Sequence, residues 1–113
     1  MNKKRVHTPE GVRDVYGTEY GQRSKLKAKL NKVFASYGYE GIRTPGFEFF
    51  DVFNSEKGTV SAREMFKFFD REGNTLVLRP DVTPSIARCI AKYFNEENMG
   101  IRLSYAGNVF LNN

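Results

Sequence analysis

The sequence contains a single cysteine and a single histidine among its 113 residues, and these two scarcities exclude several kinds of site. Cys89 alone cannot form an internal disulfide, and one thiol cannot build a cysteine-based metal cluster. With His7 as the only imidazole, the sequence does not favour a histidine-rich zinc site or a Ser–His–Asp triad. We therefore expect no metal site in this sequence.

Long apolar runs are also absent. A helix that spans a bilayer needs about 20 consecutive apolar residues, and no stretch of this chain provides them. The pattern of a signal peptide is not present either. Together with the single cysteine, which fits a reducing compartment, these features lead us to expect a cytoplasmic protein.

Positive charge is in excess, with 18 Lys and Arg against 13 Asp and Glu and a net charge of +5. This balance favours anionic partners such as nucleic acid, nucleotides or an acidic protein surface. A small basic nucleic-acid-binding module is therefore one hypothesis. Against it, the aromatic residues fall mostly on predicted buried faces and do not alternate with Lys and Arg as a stacking platform would. The excess charge is more simply explained by a solvated helix face and a frayed terminus.

The most informative stretch is LRPDVTPSIAR at residues 78–88, where a strand is predicted to turn into a helix. Pro80 should end the strand, and Pro84 suits the first helical position, which makes Thr83 the predicted N-cap. Free N–H groups and the positive end of the helix dipole then point outward from this corner. Asp81 lies at its mouth, where the carboxylate either meets a ligand's ammonium group or simply satisfies the helix start.

Two further elements follow from apolar periodicity. A first helix of about 30 Å is predicted before Gly38, because apolar residues recur there at helical spacing. They are Leu26, Leu30, Val33, Phe34 and Tyr37. Residues 39–53 read as extended structure in which Pro45 restricts the strand to an edge, a bulge or an interface.

A hairpin is predicted from residues 65–70 and 75–79, because a polar turn separates two short apolar strands. Phe66 and Phe68 should share a face with Leu76 and Leu78. Residues 101–110 should add a strand to the same antiparallel sheet. The sequence therefore predicts an α+β fold, a sheet flanked by helices, forming one partial domain over residues 1–113. The apolar run at its end leads us to expect a longer natural chain.

Taken in order, these elements resemble the start of the catalytic core of class II aminoacyl-tRNA synthetases, in its histidyl branch. Four stretches carry the resemblance: TPEGVRD at 8–14, YGYEGIRTP at 37–45, LRPDVTP at 78–84 and RLSYAGNVF at 102–110. Residues 8–14 resemble the N-terminal signature of that branch, and the first helix followed by residues 37–45 resembles motif 1. Residues 78–84 resemble the amino-acid-binding loop, and residues 102–110 resemble the opening of motif 2. The resemblance covers nearly the whole sequence but only the first part of the family's catalytic domain.

The branch contains true synthetases and a non-catalytic relative, the regulatory subunit of ATP phosphoribosyltransferase. The sequences of residues 81–88 and 105–110 are closer to those usual in the regulatory subunit than to those of the synthetases. A synthetase also places an arginine after the phenylalanine of motif 2 to bind the ATP α-phosphate, and here the residue is Leu111. A leucine cannot make bidentate phosphate contacts, and losing them would cost about 3 kcal/mol in the transition state. The resemblance thus implies a regulatory subunit, with histidyl-tRNA synthetase as the alternative.

This resemblance also implies residue roles. Asp81 and Thr83 would hold the ammonium group of histidine, the feedback inhibitor, while Arg79 would either orient Asp81 or pair with another carboxylate. Neither a cofactor nor a catalytic residue is implied for this part of the chain. The implied protein partner is the short form of the catalytic subunit, which joins ATP to phosphoribosyl pyrophosphate in the first step of histidine biosynthesis. A homodimer would form through the first helix and the strand at Pro45. Its predicted interface residues are Pro45, Leu26, Leu30 and Val33.

Overall fold

The structure is a computed structural model that describes residues 6–54, 60–94 and 100–113. Most of the loop predicted at residues 54–62 and of the connector predicted at 96–100 lies outside these described residues. The chain divides into two compact units, Met1–Gly38 and Tyr39–Asn113. The prediction of one partial domain over the whole sequence stays a prediction.

The first unit consists mainly of helix α1, Gly17–Ser36, whose 20 residues match the predicted length. The helix ends where Gly38 takes a φ of 81° and donates its N–H to the Ala35 carbonyl at 3.0 Å. Glycine adopts this left-handed conformation without a steric penalty, so the predicted stop at Gly38 is confirmed. All of α1 is described, and none of its residues is buried.

The second unit contains a three-stranded antiparallel sheet in the order β2-β4-β3. The strands are β2, Phe47–Phe49, β3, Lys67–Phe69, and β4, Thr75–Leu78. The predicted hairpin is confirmed, since Phe68 pairs with Leu76 in the β3–β4 register. Strand β2 lies at an edge of the sheet, which is one of the positions that Pro45 allows.

A polar turn closes the hairpin. The two Asp70 carboxylate oxygens accept from Asn74, one from its main-chain N–H at 2.8 Å and one from its side-chain amide at 2.9 Å. These bonds lower the pKa of Asp70, and the side-chain bond from Asn74 has the largest effect. Gly73 takes a φ of 82° inside the turn, a conformation that glycine supplies without strain.

The hydrophobic core lies on one face of this sheet, around Val77, Phe53 and Met65. Phe53 belongs to a short helix, α2, Phe50–Phe53, which follows β2 directly. The prediction of extended structure through residue 53 was therefore wrong at its end. In the helix Phe53 packs in the core with Val77, whereas a continued strand would have placed it on the opposite face, with Phe47 and Phe49.

The opposite face of the sheet is aromatic. Phe47 is opposite Leu78 and Phe49 is opposite Leu76, so these four side chains share that face. The rings of Phe47 and Phe68 meet edge to face, with centroids 5.4 Å apart. Phe47 and Phe49 remain exposed in this chain.

The last strand corrects the predicted topology. β5, Leu103–Ser104, does not join the hairpin's sheet but pairs in parallel with β1, Glu40–Gly41. Main-chain N–H groups of Glu40 and Ile42 donate to carbonyls on the β5 side at 2.9 Å. Alternation of apolar and polar residues predicts a strand but carries no information on which strand it pairs with. In the described parts of the chain, we find no helix long and apolar enough to cross a membrane.

Candidate functional site

The candidate site is the corner where β4 ends and helix α3, Thr83–Tyr93, begins. The strand-to-helix turn is confirmed, but the predicted N-cap was wrong by one position. Val82 is the N-cap, Thr83 is the first helical residue and Pro84 the second. Proline is tolerated in the first turn because its missing N–H would have no partner inside the helix.

Asp81 takes the role that the sequence had given to Thr83. Its Oδ1 accepts from the main-chain N–H of Val82 at 2.7 Å and of Thr83 at 3.3 Å. An aspartate side chain in this position satisfies free donors and places negative charge at the positive end of α3. Asp81 is half-buried, whereas Thr83 is exposed. Both residues therefore lie at one helix start.

Arg79 lies at this corner, and its side chain donates hydrogen bonds to two other segments. Its Nε donates to the carbonyl of Asn108 at 2.6 Å, and its Nη1 donates to the carbonyl of Thr44 at 3.1 Å. Both acceptors are main-chain oxygens. Orientation of Asp81 by Arg79, or its pairing with a carboxylate, stays a prediction. The guanidinium thus connects the corner to two other segments of the second unit.

Sequence reasoning missed a polar pair under α3. Glu48 on β2 accepts a hydrogen bond from Arg88 on α3, and Ser85, one turn earlier in the helix, is fully buried. The signal was available, because Glu48 stands alone between phenylalanines in a strand that alternates. A buried carboxylate needs a cationic or hydrogen-bonding partner, and Arg88 lies on the buried side of the helix.

The residues predicted for assembly lie in both units. In α1, the exposed fractions are 58% for Leu26, 48% for Leu30 and 53% for Val33, so the apolar stripe is uncovered in this chain. Pro45 is exposed in the second unit, just before β2. The stripe was identified correctly as a helical pattern, while its contact with another subunit stays a prediction.

Other features do not add to the site. A cleft of about 200 Å³ is lined by Phe49, Phe50, Asp51, Asn74 and Thr75, and thus by neither Asp81 nor Thr83. Among the described residues, no group of three His, Cys, Asp or Glu side chains could hold a metal ion. The corner that carries Asp81 therefore remains the candidate, and its carboxylate can bind a cationic group.

Comparison with known proteins identifies relatives of this chain. The chain is 42% identical over 110 residues to proteins named ATP phosphoribosyltransferase regulatory subunit from Acetivibrio thermocellus and Ruminiclostridium cellulolyticum. Each alignment covers 97% of this chain and 26% of the relative, so the chain spans about a quarter of the length of these relatives.

Solved structures show the same likeness. A protein from Bacillus halodurans, described as an ATP phosphoribosyltransferase regulatory subunit/histidyl-tRNA synthetase, superposes with a TM-score of 0.84 at 31% identity. That match covers 94% of this chain and 28% of the other. The apo histidyl-tRNA synthetase of S. aureus gives a TM-score of 0.78 at 30% identity, covering 93% and 29%.

The predicted fold class is confirmed, because the described residues combine helices with an antiparallel sheet and superpose on these histidyl-tRNA synthetase-like neighbours. A model of the family described as histidyl-tRNA synthetase matches residues 11–113, which is most of the sequence. The chain belongs to the histidyl-tRNA synthetase family.

Proposed function

We propose that this chain is the N-terminal part of a regulatory subunit of ATP phosphoribosyltransferase. The observation that carries the proposal is the 42% identity, over 97% of the chain, to proteins of that name. In this role the protein binds the short catalytic subunit in the cytoplasm and performs no chemistry itself. It needs no cofactor, and histidine bound to the complex inhibits the first step of histidine biosynthesis.

The geometry of the corner supports histidine as the ligand. Asp81 carries a negative charge at the start of α3, where the ammonium group of an amino acid finds a charged acceptor. The Thr83 side chain is exposed two residues further on and offers a hydroxyl beside it. Because Asp81 Oδ1 is fixed by two main-chain N–H groups, the orientation of the carboxylate is set before the ligand arrives.

Calorimetric titration of histidine into the full-length protein with its catalytic partner tests this site. Asp81→Asn keeps an oxygen for the helix start and removes the charge, so histidine affinity should fall about tenfold to a hundredfold. The matched control is Asp51→Asn, which removes an exposed carboxylate from α2. Equal affinities for wild type and Asp81→Asn would leave Asp81 with only its role at the helix start.

A second candidate is histidyl-tRNA synthetase, because the solved relatives at about 30% identity carry that name. Leu111, where the family resemblance places a phosphate-binding arginine, argues against it. We expect the full-length protein to show no histidine-dependent exchange of pyrophosphate into ATP. Exchange at the rate of an ordinary enzyme would instead assign the chain to the synthetases.

A further inference from the structure

Among the described residues, Arg79 makes four hydrogen bonds, which join three separate segments of the second unit. Besides its two side-chain bonds, its main-chain N–H donates to the Gly46 carbonyl and its carbonyl accepts from the Phe110 N–H, both at 2.9 Å. The segment before β2, the end of β4 and the segment at residues 107–110 therefore meet at one residue. Asp81 follows only two positions later in the chain.

We propose that Arg79 is a positioning residue, which fixes residues 107–110 against the corner so that one ligand site is built from both. The inference rests on the proposed histidine site at Asp81. Arginine suits this role because its rigid planar fork donates from different nitrogens in different directions. A charged donor also bonds more strongly to a carbonyl than a neutral one does.

The close approach of Gly107 to the same guanidinium is a second sign of this arrangement. A Cβ atom built on Gly107 would lie 2.5 Å from Nη2 of Arg79 and 3.2 Å from its Cζ. The guanidinium cannot move aside freely, because the carbonyls of Thr44 and Asn108 hold it. Glycine at position 107 thus lets the guanidinium lie against the chain. Gly107→Ala should displace either the Arg79 guanidinium or the main chain at residue 107.

The test compares Arg79→Met, Gly107→Ala and the double variant in the full-length protein with its catalytic partner. Arg71→Met removes an exposed arginine from the hairpin turn, and Gly100→Ala adds a methyl group where no atom lies within 4 Å, so these are the matched controls. We expect each single variant to weaken histidine binding about tenfold. The double variant should be no weaker than the worse single one, because both changes remove the same contact.

Hydrogen exchange separates positioning from general stability and from the proposed function. In Arg79→Met and in Gly107→Ala, exchange should rise in peptides covering residues 107–112 and stay unchanged in peptides covering the hairpin turn. If wild type binds no histidine, the proposed function fails, yet this local rise still supports the role of Arg79. The inference is overturned by unchanged exchange at 107–112, by an equal rise in the hairpin turn, or by affinity losses that multiply in the double variant.

Discussion

Arg88 on α3 and Glu48 on β2 form an ion pair that joins the helix to the sheet. The arginine Nε lies 3.0 Å from both carboxylate oxygens, and only 8% of the Glu48 side chain is exposed. Glu48 is opposite Val77 in the strand register, so the pair lies on the same face as the hydrophobic core. The contact thus connects α3, whose first turn follows Asp81, to strand β2.

Removing one partner of this pair should destabilise the fold. Arg88→Met leaves a nearly buried carboxylate without its cation, and we expect a loss of about 2 kcal/mol in the free energy of unfolding. The double variant Glu48→Met/Arg88→Met should lose less free energy of unfolding than Arg88→Met alone, because no unpaired charge remains. Urea denaturation of the full-length protein measures both. Arg71→Met, which changes an exposed arginine, serves as the control. This account would be contradicted if the double variant were the least stable of these proteins.

A second prediction concerns pH and the start of α1. Two hydrogen bonds from Arg13, at 2.8 and 2.7 Å, lower the pKa of Glu19 to about 2 from the ordinary 4.5. Arg23 adds a weaker contact at 3.3 Å. Because the folded pKa lies below the unfolded one, the stabilisation is complete above pH 4.5 and is lost as the pH falls toward 2.

An NMR titration of the Glu19 carboxyl group checks this. Arg13→Met should raise the Glu19 pKa well toward 4.5, and Arg23→Met should raise it less, since Arg13 supplies the shorter contacts. With 42% of the Glu19 side chain exposed, added salt should also weaken the effect. A Glu19 pKa that Arg13→Met leaves unchanged would show that the ion pair does not form in solution.

The third prediction separates the two residues of the corner by stability. Thr83 is exposed and lies inside the first helical turn, so Thr83→Ala should change the free energy of unfolding by less than about 0.5 kcal/mol. Asp81→Ala removes the oxygen that accepts from two N–H groups and should cost about 1 kcal/mol. Asp81→Asn keeps that oxygen, so its loss in free energy of unfolding should lie between those of Thr83→Ala and Asp81→Ala. A larger loss of stability for Thr83→Ala than for Asp81→Ala would show that Thr83 caps the helix.

The fourth prediction concerns the exposed stripe on α1. If Leu26, Leu30 and Val33 bind a second subunit, Leu30→Glu places a charge in an apolar interface and should turn a dimer into a monomer. Ala28→Glu adds the same charge two positions away, on a different side of the helix, and should leave the dimer intact. Sedimentation or light scattering of the full-length protein gives the answer. If the two variants had the same oligomeric state, α1 would not be part of the interface.

Elements set by local signals were predictable from the sequence. The 20-residue length of α1 followed from a single apolar stripe and a terminal glycine, and the hairpin followed from a polar turn between apolar strands. The corner between β4 and α3 followed from the spacing of Pro80 and Pro84. Each of these depends on interactions within a few residues, which sequence patterns record.

Features that depend on distant residues were missed. The partner of β5 was wrong because strand pairing between far segments leaves no local pattern, and the Glu48–Arg88 pair joins residues from different elements. The N-cap was assigned to Thr83 because both Thr83 and Asp81 favour helix starts, and only the backbone decides which side chain reaches the free N–H groups. The main-chain acceptors of Arg79 could not be predicted either, because they belong to segments far from Arg79 in the sequence.

The parallel pairing of β1 with β5 sets the order in which the second unit can fold. Glu40 and Leu103 come from opposite ends of that unit, so their pairing requires closure of a long loop, whereas the hairpin closes through a short turn. Contacts between distant segments form late because their entropy cost must be met first. We therefore expect the hairpin to form early and the β1–β5 pair last, after Arg79 has brought residues 107–110 into place.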